Sequence, residues 1–153
     1  MRYSPAMHTH AADEGAPPPA LTRWFVVHFV ADLVFAVPLL LVPETFLRAL
    51  GWQVVDPVAA RIVAAALCGI GIESWRSRRA RISAFPALLE LKIIWSWAAM
   101  IGLLLSVIEG SHAAPGALWA LVVVFAGFNV LWTYWRRRIL AVLRAAANHH
   151  DHR

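Results

Sequence analysis

Five ionisable side chains interrupt apolar stretches of this 153-residue sequence. They are His28, Asp32, Glu73, Glu90 and Lys92. An ionisable side chain within a membrane span is costly, so such residues are functional-site candidates by default. A helical rise of about 1.5 Å per residue places all five at a similar depth, in the half of the spans that we assign to the cytoplasmic side. We therefore expect one polar layer.

The chemistry of this layer depends on which side chains face one another. His28 and Asp32 are four residues apart and share a helix face, where a carboxylate fixes the tautomer of the imidazole. Glu90 and Lys92 are two apart, so each needs a partner on another helix or water, although Lys92 can also extend to the cytoplasmic surface. Three carboxylates against one lysine and one histidine predict either a protonated carboxyl or a bound cationic ligand.

Three further side chains complete the set of candidate ligand-binding residues. Trp95 and Trp97 lie deeper than the membrane interfaces, where they either pack or line a site for an apolar or aromatic ligand. Asn129 lies at the depth of the polar layer. Two interpretations stay open: a structural network of interhelical hydrogen bonds, or a cavity that opens to the cytoplasm, polar at its mouth and apolar above.

The sequence assigns no cofactor, metal or catalytic residue. A bis-histidine haem site needs two facing histidines within the membrane, and only His28 qualifies. A di-iron bundle needs Glu-x-x-His motifs on two helices, and the chain does not have two; Cys68 is a lone cysteine. The terminal histidines suit weak adventitious metal binding at most. These are His8, His10, His149, His150 and His152.

Composition indicates the elements that must position these residues. The chain is 60% hydrophobic and 15% charged, whereas soluble domains are about 45–50% apolar and about 25% charged. Four segments approach the roughly 20 apolar residues of a membrane span: 24–42, 58–75, 86–108 and 117–135. We predict an all-α integral membrane four-helix bundle over residues 23–136. A disordered tail, 1–22, precedes it, and a helical extension with a His-rich tail, 137–153, follows it.

Arginine placement predicts the orientation, because basic residues mark cytoplasmic loops. The side with both termini carries Arg2, Arg23, Arg76, Arg78, Arg79, Arg81, Arg136, Arg137, Arg138 and Arg144. The other side carries Arg48 and Arg61. We therefore expect both termini in the cytoplasm of a bacterium, with the spans in its inner membrane. Apolar residues of the connector 44–56 predict a short helix at the outer interface.

Segment 43–75 carries a recurring pattern: P-E-x-F-L-x-x-L-G-W, then D-P-x-x-A-R, then G-I-G-I-E-S. The chain thereby resembles small bacterial four-helix membrane proteins of the DoxX-like kind, over residues 24–135, which implies a fold more than an activity. A weaker likeness is to the sterol-isomerase and sigma-2-receptor superfamily, which places acidic residues on adjacent helices of a pocket for amphipathic ligands. That likeness implies such positions for Asp32 and Glu73, without a catalytic role.

Three functions are compatible with these observations. The first is a non-catalytic accessory subunit or oligomeric scaffold, partnered by a second copy or another membrane protein. The second is a binding protein or carrier for a lipophilic ligand such as a lipid, isoprenoid, sterol-like molecule or quinone. The third is a membrane isomerase whose acid/base pair is Asp32 with Glu73 or Glu90. Membrane lipids are expected partners, and nucleic acid is not.

Overall fold

The computed structural model describes residues 15–109 and 115–151, and all regular structure within them is helical. The helices are α1 (Pro19–Leu41), α2 (Pro43–Ala49), α3 (Pro57–Ser77), α4 (Phe85–Ile108) and α5 (Pro115–Asp151), with one turn of 3-10 helix at Ile82–Ala84. The predicted all-α class is confirmed. Helix α1 begins inside the segment 1–22 that we expected to be disordered, while the side chains of the terminal histidines lie outside the described residues.

Four of these helices are long and apolar enough to cross a membrane. Their outer faces expose large aliphatic side chains, including Val34, Ile62, Ile94 and Val123, each at least 60% exposed. Soluble proteins rarely expose contiguous apolar surface on this scale. The four predicted spans are confirmed as membrane-length helices, and the chain has the character of a multi-pass membrane protein.

Local chemistry explains where α2 ends and α3 begins. The side chain of Asp56 accepts hydrogen bonds from the backbone N–H groups of Val58, at 2.8 Å, and Ala59, at 3.2 Å. This satisfies two donors that a helix start leaves unpaired, and Pro57 follows with its φ already set for a helix. Gly51 adopts a φ of 97° just after α2, a conformation that glycine accepts without steric cost.

The long helices form two closely packed pairs, α1 with α3 and α4 with α5. Small residues allow α1 and α3 to approach: Ala36, Ala60 and Ala64 are buried between them. A Cβ atom added to Gly71 would lie only 2.9 Å from the Cβ atom of Asp32. The small residues of α3 would favour a central position in the bundle, but its backbone lies close to α1 and α2 and hardly approaches the other pair.

The two pairs are joined by one apolar cluster, which we call the end cluster. Its buried members come from α1, the 3-10 turn, α4 and α5: Leu21, Phe25, Ile82, Phe85, Leu89, Trp132, Trp135 and Ile139. A second buried cluster lies within the α1–α3 pair, at its other end. The pairs are therefore bridged by large side chains at one end of the bundle and leave a space between them in the other half.

Candidate functional site

A cavity of about 380 Å³ lies between the two helix pairs and is lined by residues of all four long helices. Ligand pockets typically have volumes of about 300–1,000 Å³, so this one is large enough for a small ligand. Four polar side chains gather where the cavity meets the end cluster, and the rest of the lining is apolar apart from Ser106. The four are His28, Asp32, Lys92 and Ser96, and the aromatic lining residues are Phe35, Trp95, Phe125, Phe128 and Trp132.

Lys92 lies at the centre of the polar end of the cavity, which we call the floor. Its ammonium donates to the hydroxyl of Ser74 over 2.6 Å, and its Nζ lies 3.4 Å from Nδ1 of His28. Ser74 in turn donates to the carbonyl of Ile70 over 2.7 Å. Lys92 is 4% exposed and Ser74 1% exposed. The floor thus joins α1, α3 and α4 through buried polar groups.

Asp32 and His28 form the other half of the floor. The Oδ2 atom of Asp32 lies 2.8 Å from Nδ1 of His28. The two groups are in close contact, although Oδ2 has no hydrogen-bond partner among the described residues. The predicted pairing of two residues on one face of α1 is confirmed.

The Nδ1 atom of His28 cannot serve both of its neighbours. If Nδ1 carries a proton, it can donate to Asp32 but cannot accept from Lys92. If Nδ1 carries a lone pair, it can accept from Lys92 but faces the carboxylate of Asp32 without a proton between them. Either way, one polar group of the floor has hydrogen-bonding capacity to spare for a ligand in the cavity.

Aromatic rings enclose the same groups. The Nζ atom of Lys92 lies 5.1 Å from the ring centroid of Phe25 and 5.4 Å from that of Trp132, within reach of a cation–π interaction. The imidazole of His28 packs edge-on against Phe128 and Trp132, with ring centroids 4.8 and 5.2 Å apart. These rings hold the polar side chains in place and separate the floor from water beyond the end cluster.

Asn129 is buried but does not line the cavity. Its amide donates to the hydroxyl of Ser96 over 2.8 Å and to the carbonyl of Ile93 over 3.2 Å. Interhelical hydrogen bonds of this kind stabilise membrane bundles. Asn129 therefore ties α5 to α4 and orients Ser96, which does line the cavity.

Glu73, Glu90 and Trp97 point away from the cavity. Glu73 is exposed and accepts a hydrogen bond from the hydroxyl of Ser77. Glu90 is also exposed and pairs with Arg136, whose Nη2 atom lies 2.9 Å from Oε2. Trp97 is 55% exposed, whereas Trp95 lines the cavity. The expectation that Asp32 and Glu73 both face the interior holds for Asp32 and is wrong for Glu73.

This placement reverses the expected charge balance. The floor holds one carboxylate, Asp32, together with two basic groups, Lys92 and His28. The surplus of acid inferred from the sequence counted Glu73 and Glu90, which lie outside. The buried groups therefore do not favour the cationic ligand that a surplus of carboxylates would bind.

The direction of the cavity also differs from the expectation of a polar mouth. The end cluster covers the floor, since Phe25, Phe85 and Trp132 are fully buried there. Towards the other end the lining includes Val63 and Val124, which are 46% and 47% exposed, and the exposed Gly102. The polar groups thus lie at the inner end of the cavity, and its apolar end reaches the outer face of the helices.

Sequence reasoning missed Ser74, the hydroxyl that Lys92 contacts. The buried positions 60, 64, 67, 71 and 74 of α3 follow a spacing of four and three residues, which is the spacing of a single helix face. That periodicity places Ser74 on the face towards α1 and turns its neighbour Glu73 away. The small residues of this face were the available signal.

No group of three or more potential metal ligands occurs among the residues that the structure describes. Comparison of the chain with protein-family models, with curated proteins and with solved structures finds no match. The resemblances to DoxX-like proteins and to the sterol-isomerase superfamily stay predictions.

Proposed function

We propose that this chain is a non-catalytic membrane protein that binds a lipophilic molecule in the cavity between its two helix pairs. The observation that supports this most strongly is the cavity itself, with buried polar groups at one end and apolar or aromatic walls along the rest. A molecule with one polar end and an apolar body would match this arrangement. The accessory-subunit hypothesis is compatible with it, since a ligand-binding bundle can also assemble with a second copy or another membrane protein.

The membrane setting determines where selectivity would arise. A lipophile that moves from lipid into an apolar cavity gains little from the hydrophobic effect, because lipid tails are as apolar as leucine. Its apolar body would be recognised by shape, through contacts with Trp95 and Phe125. Its polar end would contribute the larger difference in free energy, because polar groups in a low-dielectric site interact strongly.

The isomerase hypothesis receives less support. It required Asp32 to act together with Glu73 or Glu90 as an acid/base pair. Both glutamates are exposed on outer helix faces, whereas Asp32 is buried against His28. The floor offers hydrogen bonds and charge rather than two facing carboxyl groups.

The same proposal includes an orientation and a location. The arginines of the α3–α4 connection, among them Arg78 and Arg79, share an end of the bundle with Arg137 and Arg138 of α5. On the rule that basic residues remain in the cytoplasm, this end faces inward, both termini are cytoplasmic and α2 lies at the outer interface. A bacterial inner membrane is the location that fits this reasoning.

A pair of neighbouring alanines provides the test. Ala99 lines the cavity, whereas Ala98 is exposed on the outer face of the same helix. In Ala99→Phe the added ring would occupy cavity volume, and in Ala98→Phe it would point outward. Native mass spectrometry of protein released from nanodiscs would measure a retained lipophile.

We expect a retained lipophile in the parent chain and in Ala98→Phe, and a loss of at least about tenfold in Ala99→Phe, a difference of roughly 1.4 kcal/mol in binding free energy. Equal helical circular dichroism for the two variants would establish that both fold. Equal retention by both would overturn the proposal, as would a parent chain that retains nothing and takes up none of a lipid extract.

A further inference from the structure

Lys92 is the single lysine of the chain, and all other permanently cationic side chains are arginines. The arginines cluster near the helix ends, whereas Lys92 lies within α4 at the floor of the cavity. An ammonium buried within a membrane span is costly unless charge or hydrogen bonds compensate it. The groups that contact Lys92 therefore indicate what kind of ligand head group the cavity would bind.

The partners of Lys92 in the described residues offset its charge only in part, through the ring faces of Phe25 and Trp132. Its Nζ atom carries three N–H donors, of which one is used by the neutral hydroxyl of Ser74. The contact with His28 is long, at 3.4 Å, and needs a lone pair on Nδ1. Within the described residues, no carboxylate oxygen lies close enough to Lys92 to form an ion pair. At least one N–H group is thus available to an acceptor in the cavity.

The placement of the charged groups indicates the nature of that acceptor. The carboxylate of Asp32 lies against His28, with 2.8 Å between Oδ2 and Nδ1. The polar neighbours of the ammonium of Lys92 are instead the hydroxyl of Ser74 and the ring of His28. An anionic group beside Nζ would give this buried cation the ion pair that the described residues do not supply.

We infer that the ligand is an anionic lipophile of the long-chain carboxylate class, whose head group binds Lys92. This inference rests on the proposed function. Its carboxylate would accept hydrogen bonds from Nζ at the floor. Its hydrocarbon chain would lie along Leu67 and Phe125 towards Gly102 at the apolar end. A cavity of about 380 Å³ suits one acyl chain better than the two chains of a phospholipid.

The single lysine allows a direct test. Protein labelled with nitrogen-15 lysine has one side-chain Nζ resonance, which reports on the floor alone. Delipidated protein in nanodiscs of phosphatidylcholine would be titrated with dodecanoate and, as the matched neutral probe, with dodecanol. We expect dodecanoate to shift this resonance saturably and dodecanol to leave it nearly unchanged.

Variants of Lys92 extend the test to affinity. Binding of radiolabelled dodecanoate, corrected with empty nanodiscs, should weaken by at least about tenfold in Lys92→Met, since hydrogen bonds to charged groups are stronger than those between neutral groups. Lys92→Arg keeps the charge and should retain most of the affinity. Dodecanol should bind both variants as it binds the parent chain.

The outcomes separate this inference from the proposed function. If dodecanoate and dodecanol bind equally and Lys92→Met weakens the binding of neither, the head-group inference is overturned. Loss of binding of both probes in Ala99→Phe would then still support a ligand-binding cavity. If dodecanoate leaves the lysine resonance of the parent chain unmoved, the inference is overturned whether or not Lys92→Met folds. The retained-lipophile experiment with Ala98 and Ala99 decides the proposed function by itself.

Discussion

The two halves of the bundle are built differently, although both consist of apolar helices. At the end cluster, large side chains of α1, α4 and α5 interdigitate, and Phe25, Phe85 and Trp132 are fully buried. In the other half, the buried cluster belongs to the α1–α3 pair, where Ala36 and Ala64 bring two backbones together. Packing across the bundle is dense in the first half and replaced by a cavity in the second.

Lipid surroundings explain why both arrangements are possible in one chain. Helices in a membrane associate through van der Waals packing and interhelical hydrogen bonds, because lipid removes the hydrophobic drive to fill every gap. The end cluster and the floor supply those contacts between the two helix pairs. The cavity half can therefore remain open to an apolar occupant, while the end cluster holds the two pairs together.

The strongest test of this difference is to remove the largest fully buried side chain of the end cluster, Trp132. Trp132→Ala should lower the free energy of unfolding by about 3–5 kcal/mol, the usual cost of deleting a buried aromatic side chain. Trp97→Ala is the matched control, because Trp97 is 55% exposed, and it should change stability by about 0.5 kcal/mol or less. Denaturation in detergent followed by circular dichroism would measure both.

Equal effects of the two tryptophan substitutions would contradict the role that we give to the end cluster. A large effect of Trp97→Ala alone would instead indicate that its outer face is covered by a partner.

A pair of glycines tests the close approach of α1 and α3. In Gly71→Ala the new methyl group would meet the Cβ atom of Asp32 at 2.9 Å, so the helices must shift, at a cost of about 1–3 kcal/mol. In Gly69→Ala nothing lies within 4 Å of the new atom, and the better helix propensity of alanine predicts no loss. Thermal unfolding of both variants in the same detergent would compare them.

Because the methyl group of Gly71→Ala would also displace Asp32, we expect weaker retention of the lipophile in that variant. Stability equal to that of Gly69→Ala would show that α1 and α3 do not approach as described.

The smallest expected effect concerns the polar link between α4 and α5. Asn129→Ala removes the hydrogen bond to Ser96 and should cost about 0.6 kcal/mol, the average for such bonds within membranes. A double-mutant cycle of Asn129→Ala and Ser96→Ala isolates this coupling from the loss of each side chain alone. A coupling energy of zero would remove Asn129 from the contacts that hold the second pair together.

Much of the local structure could be predicted from the sequence. Long apolar runs predict the membrane-length helices, Asp56 before Pro57 predicts the start of α3, and the spacing of His28 and Asp32 predicts their contact. Each of these depends on residues close together in the chain. Helical geometry relates such neighbours directly, whatever the rest of the fold does.

The direction in which the polar side chains point around each helix could not be predicted in the same way. Counting helical rise gives the depth of Glu73 and Glu90, but depth does not say which way a side chain points. Successive residues turn by about 100° around a helix, so Glu73 faces outward while Ser74 beside it faces the floor. In a helix that is apolar on all sides, hydropathy provides no reference direction for this angle.

The sequence by itself determined the class of protein, the four membrane-length helices and the pairing of His28 with Asp32, because these follow from composition and short-range spacing. Only the tertiary structure decided that Lys92 meets Ser74, that both glutamates lie outside, and that the floor is basic and covered. Those outcomes depend on how four helices rotate and pair, and contacts between residues far apart in the chain determine that packing.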